Sequence, residues 1–270
     1  MVNGYYVIDA HCHIYPEKIA ERAVGGTDKF YGLSSINKGT VADLLEKGDK
    51  AGVDRFVVQS VATTPHQVKQ INEFIARSVN SAPHRFTGLG TLHPESEDIV
   101  GDIEHLVSLG LKGVKLHPDI QAFKIDDYRC LKIYEECEKR GLIILLHTGD
   151  NRYDFSNPNR LLPVVKIYTD LKVIGAHFGG WSVWDEAVRK LHDVDNFYVD
   201  CSSTFGFIEK TKSKELIKQY TADKILFGTD YPMWDIEKEL DYLFSLGLDE
   251  NEIKSILSLN AEKLFDLEEQ

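Results

Sequence analysis

The sequence predicts an α/β protein, a (β/α)8 TIM barrel formed by one domain over residues 1–270 with extra helices at its carboxyl end. Apolar strand-like segments alternate with helical segments eight times along the chain, at a spacing of roughly 30 residues, the length of a βα unit with its crossover. Most of these strands are continuous apolar runs, as in parallel sheets covered on both faces. A doubly wound open sheet is the alternative, but no glycine-rich phosphate turn follows the first strand.

Each predicted strand is a short run rich in apolar and β-branched residues. The predicted strands cover residues 5–13, 53–62, 86–92, 113–118, 142–146, 172–176, 197–201 and 225–229. Because the carboxyl ends of barrel strands build the active site in this fold, the residues that close each run are the candidates for chemistry.

The segments between the strands have helical character. The predicted helices cover residues 41–52, 67–80, 99–109, 128–140, 160–169, 183–191 and 210–220, followed by two carboxyl-terminal helices near 237–246 and 252–265. Thr40 is the expected amino-terminal cap of the first. Residues 14–39 are polar, contain several glycines and are long for a plain connection, so we expect an active-site loop or lid there.

Composition limits the partners. The formal net charge of −12 argues against nucleic acid and against an anionic membrane surface, because both attract concentrated positive charge. The chain has neither the pattern of a signal peptide nor an apolar run of about 20 residues, and its four cysteines form no CxxC pair, so we expect a cytoplasmic protein with reduced thiols. The expected partner is a small-molecule substrate, and a homodimer stays open.

The first strand ends in two histidines. His11 and His13 are two residues apart, and because strand side chains alternate, both project to one side while Cys12 turns away. Two imidazoles at a strand end can occupy two positions around a metal ion. Asp9 shares their face, and we expect it either to orient a ligand imidazole or to form the turn at the strand end.

Further polar side chains follow the other strands. Six of the ten histidines lie at predicted strand ends, and chance does not sort them in this way. In chain order these ends carry His11, His13, His93, Lys115, His117, His147, His177 and Asp230. Four histidines and an aspartate on strands that meet around one axis predict a metal-dependent active site.

These residues resemble a known group of enzymes, the amidohydrolase superfamily. The resemblance is to the amidohydrolase-related branch that includes aminocarboxymuconate-semialdehyde decarboxylase and γ-resorcylate decarboxylase, and it spans nearly the whole chain. The motifs that carry it are Asp9-x-His11-x-His13, Gly113-Val114-Lys115-Leu116-His117-Pro118, His147-Thr148-Gly149, His177-Phe178-Gly179-Gly180, Gly228-Thr229-Asp230-Tyr231-Pro232 and Asn260-Ala261.

The resemblance implies a site for one divalent metal ion. The implied ligands are His11, His13, His147 and Asp230. Three imidazoles and a carboxylate suit Zn²⁺, the preferred ion, and Mn²⁺ stays open. His177 is implied just outside the ligands, hydrogen-bonded to metal-bound water, because an imidazole can take or return a proton near neutral pH. Asp230 is also implied to shuttle a proton.

Four residues are the predicted substrate contacts: Lys115, His117, Arg152 and Trp181. Arg152 is expected to grip a substrate carboxylate with both arms of its guanidinium. Lys115 either pairs with an anionic substrate or, as in binuclear members of the superfamily, is carboxylated and bridges two metal ions. His117 either contacts substrate or packs before Pro118.

The leading functional hypothesis is a metal-dependent hydrolase of a small carboxylate-bearing substrate, with metal-activated water and His177 and Asp230 as acid and base. The alternative is a non-oxidative decarboxylase of a small aromatic or enol carboxylic acid, in which His177 or Asp230 delivers a proton to carbon. A non-catalytic metal-binding scaffold is the third hypothesis, and a histidine placed beyond the ligands argues against it.

Overall fold

Eight parallel strands form one sheet in the computed structural model, which describes residues 1–267, and their order in the sheet follows the chain. The strands are β1 (Ile8–His13), β2 (Arg55–Gln59), β3 (Phe86–Thr91), β4 (Gly113–Leu116), β5 (Ile143–Leu146), β6 (Val173–Gly175), β7 (Phe197–Asp200) and β8 (Ile225–Leu226). Neighbouring strands pair in parallel from β1 through β8.

Backbone hydrogen bonds bring the last strand back to the first. The N–H of Ala10 donates to the carbonyl of Phe227 at 2.8 Å, and the N–H of His13 donates to the carbonyl of Tyr231 at 2.7 Å. The sheet is therefore a nearly closed barrel, and the predicted (β/α)8 fold in one domain is confirmed.

Helices surround the barrel. They are α1 (Glu17–Tyr31), α2 (Val41–Ala51), α3 (Val68–Ser81), α4 (Ile99–Ser108), α5 (Pro118–Gln121), α6 (Tyr128–Lys139), α7 (Pro158–Ile167), α8 (Trp184–Leu191), α9 (Lys210–Tyr220), α10 (Ile236–Phe244), α11 (Glu250–Lys254) and α12 (Asn260–Phe265). A π-helical turn, Ser255–Leu259, joins the last two.

Most of the stretch predicted as a loop or lid is helix α1. Two small apolar residues one turn apart, Ala20 and Val24, are buried along it, and Gly32 ends it in left-handed backbone with a φ of 68°. The glycine pair at Gly25 and Gly26 costs helix stability, roughly 1 kcal/mol per glycine relative to alanine, which tertiary packing can override. The segment does border the site, as described below.

The interior of the barrel is packed with apolar side chains below the strand ends that carry the histidines. Leu145, Ile174 and Leu226 belong to this interior cluster, and Leu264 of α12 packs against it. The side-chain amide of Asn260, also on α12, donates to the carbonyl of Ile225 at 2.7 Å, where β8 begins. Helix α12 therefore closes the bottom of the barrel and leaves the opposite end for chemistry.

Over residues 1–267 the structure gives the state of the cysteines and the length of the helices. Its four cysteines are all buried and free. None of its helices has the length and apolar character needed to cross a membrane.

Candidate active site

A cavity of about 640 Å³ opens at the carboxyl ends of the strands. Its floor carries His11, His13, Lys115, His177 and Asp230, which come from four strands or strand ends, those of β1, β4, β6 and β8. The barrel thus brings together side chains that are far apart in the chain, at the end where this fold places its active sites.

Three of the four predicted metal ligands converge. The Nε2 atoms of His11 and His13 are 3.2 Å apart, and Oδ1 of Asp230 lies 3.2 Å from the first and 3.5 Å from the second. All three ligand atoms lie within 4.8 Å of one another. This spacing is short enough for one ion to contact all three.

A carboxylate missed in the sequence sets the tautomer of His11. Oδ2 of Asp200, the last residue of β7, lies 2.8 Å from Nδ1 of His11, and both side chains are fully buried. The carboxylate can only accept, so Nδ1 carries the hydrogen and Nε2 presents its lone pair to the cluster. Burial alone would raise the pKa of Asp200, but the His11 imidazole holds it below its ordinary value.

The protonation states of the cluster suit a cation. Burial, helped by the Lys115 charge, lowers the pKa of His11 to about 4 and also lowers the pKa of His13. Burial would raise the pKa of Asp230, but the imidazoles of His11 and His13 hold it well below its ordinary value. At neutral pH two imidazole lone pairs and a carboxylate therefore face one another, the deprotonated set that a divalent metal requires.

The ring of His13 has one unsatisfied nitrogen, on the side away from the cluster. Nδ1 of His13 is buried and, within the described chain, has no hydrogen-bond partner, so this ring is not held by polar contacts on that side. Two imidazoles and one carboxylate are borderline ligands that suit Zn²⁺ and Mn²⁺ alike. The residues present fit a metal ion.

The fourth predicted ligand, His147, has other neighbours. Its Nδ1 lies 3.0 Å from Nε2 of His177, and its Nε2 is 3.6 Å from Asp119. Its ring stacks on His117 with centroids 4.0 Å apart and planes 7° from parallel. His147 therefore forms a second group with His117 and Asp119 and does not join the three convergent atoms, so its ligand role stays a prediction.

His177 lies between these two groups. Its Nδ1 is 2.9 Å from the hydroxyl of Ser202, and its backbone N–H donates to Oδ1 of Asp200 at 3.1 Å. His177 and Asp230 both adopt left-handed backbone, with φ of 60° and 57°. Residues other than glycine seldom take this conformation, and where they do they concentrate at functional sites.

Lys115 supplies positive charge at the floor of the cavity. Its Nζ lies 3.0 Å from Nε2 of His11, and the side chain is almost fully buried. Burial lowers the pKa of Lys115 to about 8, against the opposing charges of Asp230 and Asp200, so the amine is mostly protonated at pH 7.

Arg152 does not line the cavity, in contrast to the substrate contact predicted from the sequence. Its guanidinium pairs with Asp150, donating from Nη2 to Oδ2 at 2.7 Å, and its Nη1 donates to the carbonyl of Phe30 at 2.9 Å. The guanidinium carbon Cζ of Arg152 also lies 5.0 Å from the ring centre of Tyr31 and 5.8 Å from the ring centre of Trp181. Arg152 therefore braces the cavity wall from behind, because an adjacent carboxylate already occupies its fork. Trp181 does line the cavity.

The sequence of this chain matches a known protein family over most of its length. A family model described as amidohydrolase matches residues 8–267. The chain belongs to the amidohydrolase family. This confirms the resemblance found in the strand-end motifs.

Known proteins similar to this amidohydrolase include decarboxylases. It is 33% identical over 79 residues to 2-amino-3-carboxymuconate-6-semialdehyde decarboxylase of Dictyostelium discoideum, a match that covers 28% of this chain and 22% of that protein. The fold matches 5-carboxyvanillate decarboxylase of Sphingomonas paucimobilis with a TM-score of 0.77 at 14% identity, over 98% of this chain and 100% of that one. It also matches a dihydroxybenzoic acid decarboxylase of Polaromonas sp. JS666, solved with manganese and 2-nitroresorcinol, with a TM-score of 0.73 at 19% identity, over 98% of both chains.

Three residues of this amidohydrolase site were missed in the sequence. Asp200 could have been found, because it is the last residue of β7 and so lies at the same end of the barrel as His11 and His177. Tyr31, whose hydroxyl lies 2.9 Å from Nε2 of His117, comes from α1, which the sequence presented as a polar loop. Asp119 lies on a four-residue helix too short to leave a periodic signal.

Asp9 has a different role from the imidazole contact considered for it. Its carboxylate accepts the hydroxyl of Thr229 at 2.5 Å and the backbone N–H of the same residue at 3.0 Å. It also accepts the backbone N–H of His11 at 3.1 Å. Asp9 therefore ties β1 to the segment after β8, and Asp200 is the carboxylate that meets a ligand imidazole.

Proposed function

We propose that this protein is a metal-dependent, non-oxidative decarboxylase of a small aromatic or enol carboxylic acid. Hydrolysis, the reaction that the sequence alone favours, becomes the alternative. The curated relative and the two solved neighbours described above are decarboxylases by name, which supports decarboxylation over hydrolysis. Their low identity or short match leaves the substrate itself to be argued from the site.

The observation that carries the proposal is the contrast between the floor and the walls of the cavity. At the floor, the buried amine of Lys115 lies beside the convergent ligand atoms of His11, His13 and Asp230. Above it, side chains such as Trp181 line the wall. The ammonium group of Lys115 attracts a carboxylate, and a planar ring suits the apolar walls.

The proposed ligands of the metal are His11, His13 and Asp230, with His147 as the fourth. A divalent ion held by these residues would supply Lewis-acid stabilisation of negative charge on the substrate. Lys115 pairs with the anionic substrate there, and His117 and Trp181 contact the substrate from the wall.

In the proposed reaction, the bond between the carboxylate carbon and the ring or enol carbon breaks and CO2 leaves. The electron pair stays on the remaining carbon, which then takes one proton. We assign that proton to His177, which lines the cavity next to the cluster. Asp230 is a poor proton donor at neutral pH, since its pKa is held well below the ordinary value, so it keeps the role of ligand here.

The metal can be tested apart from turnover. Elemental analysis of protein purified without chelator should give about one equivalent of divalent metal per chain. The ligand set favours zinc, and the solved neighbour with bound manganese favours manganese. His13→Ala should lose the metal. If His147 is the fourth ligand, His147→Ala weakens metal binding as well; if it retains a full complement, His147 belongs only with His117 and Asp119.

The reaction is tested by incubating metal-loaded protein in D2O with 2,6-dihydroxybenzoate and 5-carboxyvanillate. We expect release of CO2 and one deuterium at the carbon that lost it. A matched panel of aryl lactones and anilides serves as the control for hydrolysis. Turnover of a lactone or an anilide without CO2 from any acid would overturn the proposal in favour of a hydrolase.

A further inference from the structure

The cavity is larger than a one-ring acid needs. Its volume of about 640 Å³ falls within the range of roughly 300–1,000 Å³ found for sites that enclose drug-sized ligands. A ring and its carboxylate at the floor would leave much of this volume to water.

The remaining volume is bounded by helices outside the strand ends. Helix α1 contributes Ile19 and Ala23, and helix α3 contributes Ile71 and Phe74. Both α3 residues also pack against the main hydrophobic core, which fixes their position. Since the helices of this fold form a layer outside the strands, the cavity extends from the barrel axis toward the gap between these two helices.

This outer part is mainly apolar, whereas the floor is charged. Polar residues border it as well, and they are Arg22 and Thr27 of α1, Thr63 and Gln67 before α3, and Gln70 of α3. Water against apolar walls is unfavourable, and an apolar ligand group that displaces it gains binding free energy.

We infer that the natural substrate is amphipathic, with a carboxylate-bearing head at the floor and an apolar tail between α1 and α3. The inference rests on the proposed decarboxylation only for the identity of the head. The chemical class is an aromatic or enol acid that carries an alkyl or aryl substituent on the side away from the carboxylate. Acids whose substituents are all polar fit this cavity poorly.

The test measures binding and needs no turnover. The probes are 4-alkylbenzoates from methyl to hexyl, titrated by calorimetry into protein loaded with manganese. Each added methylene should tighten binding roughly fourfold until the tail fills the space between the helices, as expected for burial of a CH2 group. Affinity that does not change along the series, or no binding of any member, would overturn the inference.

Two variants locate the tail. Ile71→Trp fills the outer part of the cavity from α3, so affinity should no longer rise with the length of the alkyl chain. The affinity for 4-methylbenzoate should stay within about threefold of the wild-type value. Ile167→Trp is the matched control, because Ile167 is 67% exposed on α7 and lies outside the cavity lining. If Ile71→Trp does not fold, Ala23→Phe narrows the same space from α1. A chain-length gain that survives in the folded variant contradicts the inference.

The binding series also separates this inference from the proposed function. If the series shows the gain but no acid releases CO2, the decarboxylase proposal fails and the amphipathic ligand stands. If small dihydroxybenzoates are decarboxylated while chain length has no effect on binding, the reaction stands and the tail is overturned.

Discussion

Asp200 controls which nitrogen of His11 faces the cluster. It accepts from Nδ1 at 2.8 Å deep inside the barrel, so the lone pair of Nε2 faces the cluster. Such carboxylates fix the orientation of a ligand imidazole and make it more basic. The same carboxylate accepts the backbone N–H of His177, so one side chain positions both imidazoles.

Asp200→Asn should therefore weaken metal binding about 10- to 100-fold, because the amide loses the charge and can present a donor to Nδ1. Affinity is measured by competition with a metal-binding dye. Asp98→Asn is the control, since Asp98 caps α4 at an exposed position and asparagine is an equally good cap. Equal metal affinity in both variants would show that Asp200 does not act through His11.

His177→Gln should retain the metal and lose turnover by roughly 10²-fold or more, as expected when a positioned proton donor is removed. His93→Gln is the matched control: His93 also follows a strand and is 4% exposed, but it lies outside the cavity lining and accepts the backbone N–H of Glu95. Metal content by elemental analysis and CO2 release are measured on both. Near-wild-type turnover in His177→Gln would remove its assigned role.

At the scale of single residues, the sequence predicts which side chains reach the site better than it predicts what they touch. The positions of His11, His13 and Asp230 follow from strand ends meeting at one edge. The pairing of Arg152 with Asp150, two residues earlier, depends on a loop conformation that periodicity does not encode. The separation of His147 from the convergent atoms depends on ring orientation, which also lies beyond sequence patterns.

At the scale of elements, helix α1 forms one wall of the cavity and is held by contacts near its carboxyl end. The carbonyl of Phe30 accepts from Arg152, and the hydroxyl of Tyr31 lies 2.9 Å from Nε2 of His117 and 3.2 Å from Nε2 of His147. The strands and most helices were predicted from their periodicity, whereas α1 contains glycines and takes its stability from these tertiary contacts.

Arg152→Ala should loosen α1 and leave the barrel intact. The change removes the hydrogen bond to the carbonyl of Phe30 and the contacts of the guanidinium with the aromatic rings around it. We expect hydrogen exchange of amides in residues 17–31 to rise roughly tenfold or more, an opening free energy lower by about 1.4 kcal/mol. Arg189→Ala, at an exposed position on α8, is the control. Unchanged exchange, with weaker binding of benzoate, would restore Arg152 as a substrate contact.

At the scale of the whole molecule, a buried carboxyl makes stability depend on pH. Glu239 of α10 is 8% exposed, and its Oε2 has no hydrogen-bond partner among the described residues. Burial, together with the charge of Asp9, raises the pKa of Glu239 to about 8. In the unfolded chain the pKa of this carboxyl group is about 4.3. Between that pH and about 8, the carboxyl group is protonated in the folded protein and ionised in the unfolded chain.

The contribution of Glu239 to stability is therefore fully present below about pH 4.3 and is lost as pH rises toward 8. Glu239→Gln should remove this loss, so that the variant gains on the order of a few kcal/mol over the wild type between pH 5 and pH 9. Urea unfolding across that range measures it, with Glu237→Gln on the same helix as the control, since Glu237 is 44% exposed. Parallel pH profiles for Glu239→Gln and wild type would contradict the assignment.

The convergent ligand atoms have a consequence for the timing of synthesis. His11 and His13 belong to the first strand, and Asp230 follows the eighth. A growing chain on the ribosome thus carries two histidines from the beginning but lacks the third member of the cluster until the last strand has been translated. With the proposed ligand set, the nascent chain therefore lacks a complete metal site until nearly all of it has been translated.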